Sequence, residues 1–343
     1  MIEATPKTKK VVTPMPFMTA AELRAIPPDT TRFILDGMLP GSGSSMLVAT
    51  AKTGKSTFCH QLGISVAHGT SFLGRQTIQG DVLYITLEEK KEEFQLHLNE
   101  LGFRDDTPLF MNFSIACEPQ DLIESLELAV EQRPNTRLII VDPLFKFVHI
   151  PDATDYADIN RKIRPLHELA RRHKLHLLVA HHAKKRKSDN VVDNALGSAA
   201  LTGGVDSILD LSRNKRERIL QTEQRYGTSL EPTVLGWDPE TRSISIGSTV
   251  EEREAEKSES FLTTAKRTIR QFVAAHPGCT QADIFEGVAG RTTTVKAAFA
   301  EIRSSLGEQG AGGRNDPFRY SGTPIPFEET RIVVEDQAEL VTI

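Results

Sequence analysis

The stretch Ala49-Thr50-Ala51-Lys52-Thr53-Gly54-Lys55-Ser56 decides how this chain is expected to fold. It begins at the last residue of the apolar run 46–49 and ends in the first residues of the segment 55–68, which has a helical pattern. The stretch is therefore predicted to connect a buried strand to a helix. A loop that opens into a helix N-terminus directs several free main-chain N–H groups at one point, and this arrangement suits an anionic phosphate group. The sequence thus predicts a phosphate-binding loop, or P-loop.

Individual residues of this loop have a chemical use. Gly54 lets the main chain approach a phosphate closely. Lys55 offers a point charge to the β and γ phosphates, and the Ser56 hydroxyl can ligate Mg²⁺. The usual pattern begins with glycine, whereas Ala49 stands at that position. A site for ATP and Mg²⁺ is expected on the residues Ala49, Thr50, Ala51, Lys52, Thr53, Gly54, Lys55, Ser56 and Thr57.

A second element of the expected site is Asp142, which follows the fully apolar segment 138–141. That segment predicts a buried strand. A carboxylate at the carboxyl end of such a strand is where Mg²⁺ bound to phosphates needs a ligand. Many parallel strands end in an acid, but the position of Asp142 after the P-loop favours the metal role. Ser56 and Asp142 are therefore the predicted Mg²⁺ ligands.

Polar residues also end two other predicted strands. Glu88 follows the strand 82–87 and is predicted to activate the attacking water as a general base, a solvated acidic helix start being the alternative. His182 ends the strand that begins at 175 and is predicted to sense the γ-phosphate. A structural histidine pair is the alternative there, and a metal site is disfavoured because ligand-spaced partners are lacking.

Short apolar strands alternate with helical patterns as far as residue 211, which predicts an α/β fold with a mostly parallel, twisted sheet covered on both faces. Three strand-rich segments follow and are expected to add antiparallel strands at a sheet edge. Runs of charged residues and prolines indicate the boundaries of the remaining segments of the chain. The expected organisation is a mobile arm (1–18), an ATPase domain (19–250), an acidic linker or frayed helix (251–261), a small helical domain (262–321) and an acidic tail (322–343).

Length and composition agree with a globular protein of two units. The chain has 343 residues, 25% of them charged and 39% hydrophobic. Its formal net charge of -5 does not indicate nucleic-acid binding, so any basic surface must be local. Three widely spaced cysteines do not form a disulfide framework, and no apolar run is long enough to span a membrane. A cytoplasmic protein is expected.

Together these residues make the segment 20–247 similar to the RecA-like P-loop ATPase superfamily. Within it, the chain most resembles hexameric replicative helicases of the plasmid RepA type. The resemblance rests on the P-loop, Glu88, the strand ending at Asp142, and the sequences Arg164-Pro165-Leu166, His181-His182-Ala183-Lys184 and Gly197-Ser198. It implies a homo-oligomeric ring with ATP between subunits, in which Glu88 polarises water and His182 couples nucleotide state to DNA.

The resemblance also implies an arginine finger, a residue that reaches the γ-phosphate bound by the neighbouring subunit. The family pattern is Lys-x-Arg followed by glycine. Here the segment reads Glu223-Gln224-Arg225-Tyr226-Gly227, so Arg225 fits the finger. Glu223 stands at the lysine position, which is a departure from the pattern. An ordinary arginine at a strand edge is the alternative interpretation of Arg225.

Two regions are expected to contact DNA. Four adjacent cations follow His182, and such a group suits phosphate contact, although a solvated basic loop is the alternative; they are Lys184, Lys185, Arg186 and Lys187. The segment 262–321 looks like a winged helix-turn-helix, in which Lys296 and Arg303 would lie on the recognition helix. A protein-interaction module is the alternative for this segment.

The sequence as a whole indicates an ATP-dependent DNA-binding motor, most simply a ring-forming helicase of a plasmid or mobile element. Two alternatives remain open. One is a recombination-type or regulatory ATPase that binds DNA without unwinding it. The other is a transcription regulator in which a winged helix reads an operator and ATP sets the oligomeric state.

Overall fold

The computed structural model describes residues 15–27, 32–150, 155–183, 203–214, 217–241, 243–314 and 316–322, with the side chain of Tyr156 left out. The chain divides into two compact units, Met1–Gly247 and Ser248–Ile343. Most of the predicted N-terminal arm and acidic tail lies outside the described residues, and so do Lys184, Lys185, Arg186 and Lys187. Each unit is described separately below.

The first unit contains a nine-stranded sheet, a small antiparallel pair of strands and helices on both faces of the sheet. The strands are β1 (Phe33–Leu35), β2 (Leu39–Pro40), β3 (Gly43–Ala49), β4 (Asp81–Thr86), β5 (Leu109–Asn112), β6 (Thr136–Asp142), β7 (His176–His182), β8 (Ser207–Asn214), β9 (Glu217–Gln224), β10 (Thr233–Trp237) and β11 (Ile244–Thr249). The helices are α1 (Ala20–Ala25), α2 (Lys55–His68), α3 (Lys91–Glu100), α4 (Leu122–Glu131), α5 (Leu144–Phe147) and α6 (Tyr156–Arg172). A single 3₁₀ turn, Pro119–Asp121, precedes α4.

The large sheet has the strand order β11-β10-β9-β8-β3-β7-β6-β4-β5. The six strands from β8 to β5 in this order run parallel, whereas β9 pairs antiparallel with β8 and β10 pairs antiparallel with β9. The prediction of a mostly parallel sheet is confirmed. The strands predicted after residue 211 extend one edge of this sheet.

Alternation along the central strands creates two hydrophobic cores, one on each face of the sheet. In β3, Leu47 faces the core that also holds Phe58 of α2, whereas Met46 and Val48 face the core that also holds Ile163 of α6. All of these side chains are buried. A strand covered on both faces has no solvent side, which explains why its sequence is continuously apolar.

The connection from β3 to β4 positions the candidate site. The chain leaves β3, forms α2 and returns at β4, and β7 and β6 separate the two strands in the sheet. In the register of the sheet, Ala49 lies beside His182 and Thr86 beside Asp142. The carboxyl ends of β3, β7, β6 and β4 thus meet at one edge, which is where ligands bind in open α/β sheets.

The second unit is a small bundle of three helices and a three-stranded sheet. It consists of α7 (Val250–Ala275), β12 (Cys279–Thr280), α8 (Gln281–Gly287), α9 (Thr292–Ile302), a 3₁₀ turn (Arg303–Ser305), β13 (Gly307–Gln309) and β14 (Arg319–Ser321). Its core includes Ile269 of α7, Ile284 of α8 and Phe299 of α9. The strand order is β12-β14-β13, with antiparallel pairing throughout.

Several elements differ from the predicted ones. The segment 251–261, for which a linker and a frayed helix were both open, is helical and forms the first part of α7. The pair β1–β2 and the four-residue helix α5 had no counterpart in the prediction. Although α7 has 26 residues, none of the helices that the structure describes is both long and apolar enough to cross a membrane.

The buried strands predict a large difference between two chemically identical substitutions. Leu138 of β6 is fully buried, whereas Leu128 of α4 is 52% exposed. We expect Leu138→Ala to lower the free energy of unfolding by about 2–5 kcal/mol, because it leaves a cavity. Leu128→Ala, the matched control, should change it by less than about 0.5 kcal/mol. Urea unfolding followed by fluorescence of Trp237, the single tryptophan, reports on the first unit. Equal effects of the two substitutions would contradict the assignment of β6 to the core.

A buried histidine predicts acid sensitivity of the first unit. Burial lowers the pKa of His176 to about 4, partly opposed by its hydrogen bond to the Pro40 carbonyl oxygen. The unfolded chain binds this proton near its ordinary pKa, so stability is present above about pH 6.5 and is lost as the pH falls toward 4. Going from about pH 7 to about pH 5 should cost about 2 kcal/mol at this residue. We expect His176→Gln to remove that part of the pH dependence in urea unfolding, and His149→Gln, at an exposed site, to leave it unchanged.

Candidate functional site

The P-loop lies between β3 and α2, as the sequence predicts. Gly54 occupies the N-cap of α2 with φ 105°, a conformation that side chains rarely adopt, and no side chain caps the helix there. Within the loop, the Thr53 hydroxyl donates to the Thr50 carbonyl oxygen at 2.9 Å. Because glycine at the N-cap has no side chain that could accept from the first turn of α2, main-chain N–H groups of this turn can donate to an anion.

Lys55, Ser56 and Asp142 meet at the start of α2. The Ser56 hydroxyl donates to Asp142 Oδ2 at 3.0 Å, and Lys55 Nζ lies 3.2 Å from Asp142 Oδ1. Lys55 and Asp142 are both buried. Two residues that are 86 positions apart in the chain, Ser56 and Asp142, are thus brought into direct contact, as their predicted shared role requires.

These three residues fit a triphosphate and a divalent cation. Among the residues that the structure describes, Lys55 Nζ and Asp142 Oδ1 have no hydrogen-bond partner of acceptable geometry, although both are buried. Buried polar atoms normally have partners. A phosphate oxygen would supply an acceptor for Lys55, and the Ser56 hydroxyl and Asp142 carboxylate are the oxygen donors that Mg²⁺ prefers.

Glu88 and His182 lie together at the same edge of the sheet. His182 Nε2 is 3.7 Å from one carboxylate oxygen of Glu88, and Lys146 Nζ is 3.3 Å from the other. Both the glutamate and the histidine are about half exposed. The two residues that the sequence predicts as general base and phosphate sensor are therefore neighbours. Lys146 was missed, because it lies on the short helix α5 that no sequence pattern indicated.

Arg218 is a second residue that sequence reasoning missed. Its Nε donates to the Thr53 carbonyl oxygen at 2.8 Å, and its guanidinium lies 5.5 Å from the ring centre of Trp237. A Cβ at Gly54 would come within 3.0 Å of the same Nε. The side chain of Arg218 thus packs directly on the P-loop, and it is an arginine of the same chain rather than of a neighbour.

Arg225 lies at the opposite end of β9 from Arg218. Since β9 runs antiparallel to β8, its first residues are near the P-loop and its last residues are near the other edge of the sheet. Arg225 follows those last residues and lies 3.7 Å from buried Asp206. The structure therefore does not bring Arg225 to the P-loop of its own chain.

The two predicted DNA contacts that the structure describes are both in the second unit. Lys296 is exposed on α9, with its ammonium 5.7 Å from the ring centre of Phe285. Arg303 instead forms an ion pair with Glu308 at 2.6 Å and lies over the ring of Phe318. The charge of Lys296 is thus open to solvent, whereas that of Arg303 is partly compensated within the unit.

Uncharged groups line the inner side of α2, below the loop. Burial raises the pKa of the Cys59 thiol well above its usual value, and nearby Asp142 adds to this effect. Burial likewise raises the pKa of the Tyr84 hydroxyl well above its usual value. Both groups are neutral near pH 7, so neither adds a charge beside Lys55 and Asp142.

Comparison with known proteins identifies the family. A family model described as an AAA domain matches residues 10–188, slightly more than half of the chain. The match includes the P-loop, Glu88, Asp142 and His182. No curated protein matches the chain. The chain belongs to the AAA domain family, and its first unit is a nucleotide-dependent ATPase domain of the P-loop type.

Proposed function

We propose that this chain is an ATP-dependent DNA-binding motor, a ring-forming helicase of the replicative type from a plasmid or mobile element. The observation that carries the proposal is the meeting of Lys55, Ser56 and Asp142 beside the pair Glu88–His182. A P-loop, a metal-binding carboxylate, a base and a sensor at one sheet edge are the parts that coupled ATP hydrolysis needs.

In this proposal the P-loop holds the triphosphate. The free N–H groups at the start of α2 donate to phosphate oxygens, and Lys55 places its ammonium among them. Mg²⁺, held by Ser56 and Asp142, would neutralise charge that develops on the phosphate oxygens. Arg218 also holds the loop in place, because its Nε donates a hydrogen bond to the Thr53 carbonyl oxygen.

Glu88 is the proposed base for the attacking water. Its carboxylate is partly exposed, so it can accept a proton from a water molecule at the sheet edge. Lys146 Nζ lies 3.3 Å from this carboxylate and would help to hold it in place at the sheet edge. His182 contacts the other carboxylate oxygen, so a displacement of the Glu88 side chain would also affect His182 at the end of β7.

In a ring, Arg225 would act as the arginine finger of a neighbouring site. The side chain is half exposed and far along the sheet from its own P-loop, so any nucleotide that it contacts would have to be bound by another chain. The segment 15–26 supports self-association, because α1 buries none of its residues. Its exposed apolar side chains are Met15, Phe17, Met18, Leu23 and Ile26. Contiguous exposed apolar groups are typical of protein contacts.

The second unit is the proposed DNA-binding module. Its order of a helix, a strand, two helices and two strands suits a winged helix-turn-helix, with α9 as the recognition helix and β13–β14 as the wing. Lys296 projects from α9 and would contact a phosphate. Arg303 would contact DNA as well, although its ion pair with Glu308 offsets part of its charge.

Removing the ammonium of the P-loop tests the proposal. We expect Lys55→Ala to lower ATP turnover by about 100-fold or more, because an electrostatic partner of the transferred phosphate is lost. Unwinding of a forked duplex should disappear with it. Lys91→Ala, at an exposed position on α3, is the matched control and should retain both activities. Phosphate release and strand displacement are the measurements.

The outcome also separates the proposed motor from the alternatives. ATP turnover that needs Lys55 but displaces no strand would indicate a DNA-binding ATPase without helicase activity. Tight binding to one duplex sequence with negligible turnover would indicate a transcription regulator. Turnover that survives Lys55→Ala would contradict the nucleotide site itself.

A mixing experiment tests the role of Arg225 in trans. Arg225→Ala alone should lower turnover by about 10³-fold or more if it is an arginine finger. Lys55→Ala chains have a defective P-loop but an intact Arg225. In a head-to-tail ring, mixed contacts unite an intact P-loop with an intact finger, so an equal mixture should recover roughly a quarter of the wild-type turnover. A mixture as inactive as its two components would exclude the role in trans.

A further inference from the structure

His60, Glu89 and His97 form a cluster beside the candidate nucleotide site that the proposed function does not use. His60 Nε2 lies 2.9 Å from one carboxylate oxygen of Glu89, and His97 Nδ1 lies 2.6 Å from the other. The three ligand atoms are all within 4.8 Å of one another. The cluster joins α2, the loop after β4 and α3, so three separate segments converge on it.

The spacing of these atoms suits one tetrahedral cation. Zinc binds histidine nitrogens and carboxylate oxygens at about 2.0–2.2 Å, which puts neighbouring ligands about 3.4 Å apart. With water as the fourth ligand, Glu89 supplies one carboxylate oxygen, and the three protein ligand atoms, now within 4.8 Å of one another, would have to adjust by about 1 Å, a change within reach of side-chain rotation. Two histidines and one glutamate are a known zinc ligand set.

The buried part of the cluster lacks good hydrogen bonds. His60 is 1% exposed, and within the described ranges neither its Nε2 nor Glu89 Oε2 has a hydrogen-bond partner of acceptable geometry, despite their short separation. The two atoms instead partner each other, in an ion-pair contact. A cation between them would accept a lone pair from each atom.

The packing around His60 orients its ring toward the cluster. The ring lies 4.6 Å from that of Phe94 and 5.5 Å from that of Tyr84, measured between ring centres. A cavity of about 30 Å³ adjoins the two histidines and is large enough for a water molecule as fourth ligand. It is lined by Thr57, His60, His97, Glu100, Leu101 and Trp237.

We propose that His60, Glu89 and His97 bind one divalent transition-metal cation of the Zn²⁺ class, with water as the fourth ligand. Imidazole nitrogens suit Zn²⁺, Co²⁺ and Ni²⁺, whereas Mg²⁺ takes oxygen ligands, so the two metal sites of the unit have different preferences. The cation ties α2 to the residue next to Glu88. It therefore restrains the loop that carries the proposed base.

Cobalt is the probe for the test. The metal-free full-length chain is titrated with Co²⁺ in excess Mg²⁺, which occupies oxygen-rich sites. We expect one Co²⁺ per chain with the intense visible absorption of a tetrahedral site. Trp237 lines the adjoining cavity and is the single tryptophan, so Co²⁺ bound here should quench its fluorescence in parallel. Binding without quenching, or no binding, overturns the proposal without any variant.

Two variants with one control identify the ligands. His97→Asn and Glu89→Gln should each weaken Co²⁺ binding by more than about 100-fold, since even changes to outer-shell partners cost 10–100-fold. His173→Asn is the matched control, because His173 also pairs with a glutamate, Glu127, at 2.8 Å but is not part of the cluster. Wild-type affinity in His97→Asn would leave the cluster as a hydrogen-bonded group without a metal and overturn the proposal.

Discussion

The contact of Lys55 and Ser56 with Asp142 is the constraint on which the candidate site depends. It places a cation and an anion in the interior at the point where α2 starts and β6 ends. A buried charge without its partner is strongly destabilising, so the ends of these two elements cannot drift apart at low cost. The positions of β4 and β7 follow, because both pair with β6 in the sheet. Glu88, which follows β4, and His182, which ends β7, therefore reach the same edge because both strands pair with β6.

Local sequence patterns were sufficient to predict the elements that carry this contact. The helix predicted from Lys55 to about residue 68 is α2, and the apolar segment before Asp142 is most of β6. Both segments have a clear hydrophobic pattern and clear ends in the sequence. The residues that were missed depend on distant partners: Arg218 contacts Thr53, which is 165 positions away in the chain. No local pattern encodes such a contact, because it exists only once β9 has paired with β8.

The segment predicted as an acidic linker or frayed helix was left open for a different reason. Its many glutamates indicated a solvated segment, and much of the start of α7 is indeed exposed. Its helical start, however, is specified by a capping box: the Thr249 hydroxyl accepts from the Glu252 N–H, and the Glu252 carboxylate accepts from the Thr249 N–H. A threonine three residues before a glutamate is a recognisable signal in sequence. The charge of the segment favours a linker or a frayed helix, whereas the capping box places the start of a regular helix at Val250.

Two neighbouring pairs of residues link the nucleotide site to the histidine–glutamate cluster. Ser56 and His60 are one helical turn apart on α2, and Glu88 and Glu89 are adjacent after β4. One member of each pair belongs to the nucleotide site and the other to the cluster. A shift of α2 relative to β4 would thus change the distances in both sites together. Because His60 and Tyr84 are close-packed and buried, such a shift cannot be absorbed locally. Occupancy of either site should consequently be felt at the other, and by linkage the effect must be reciprocal.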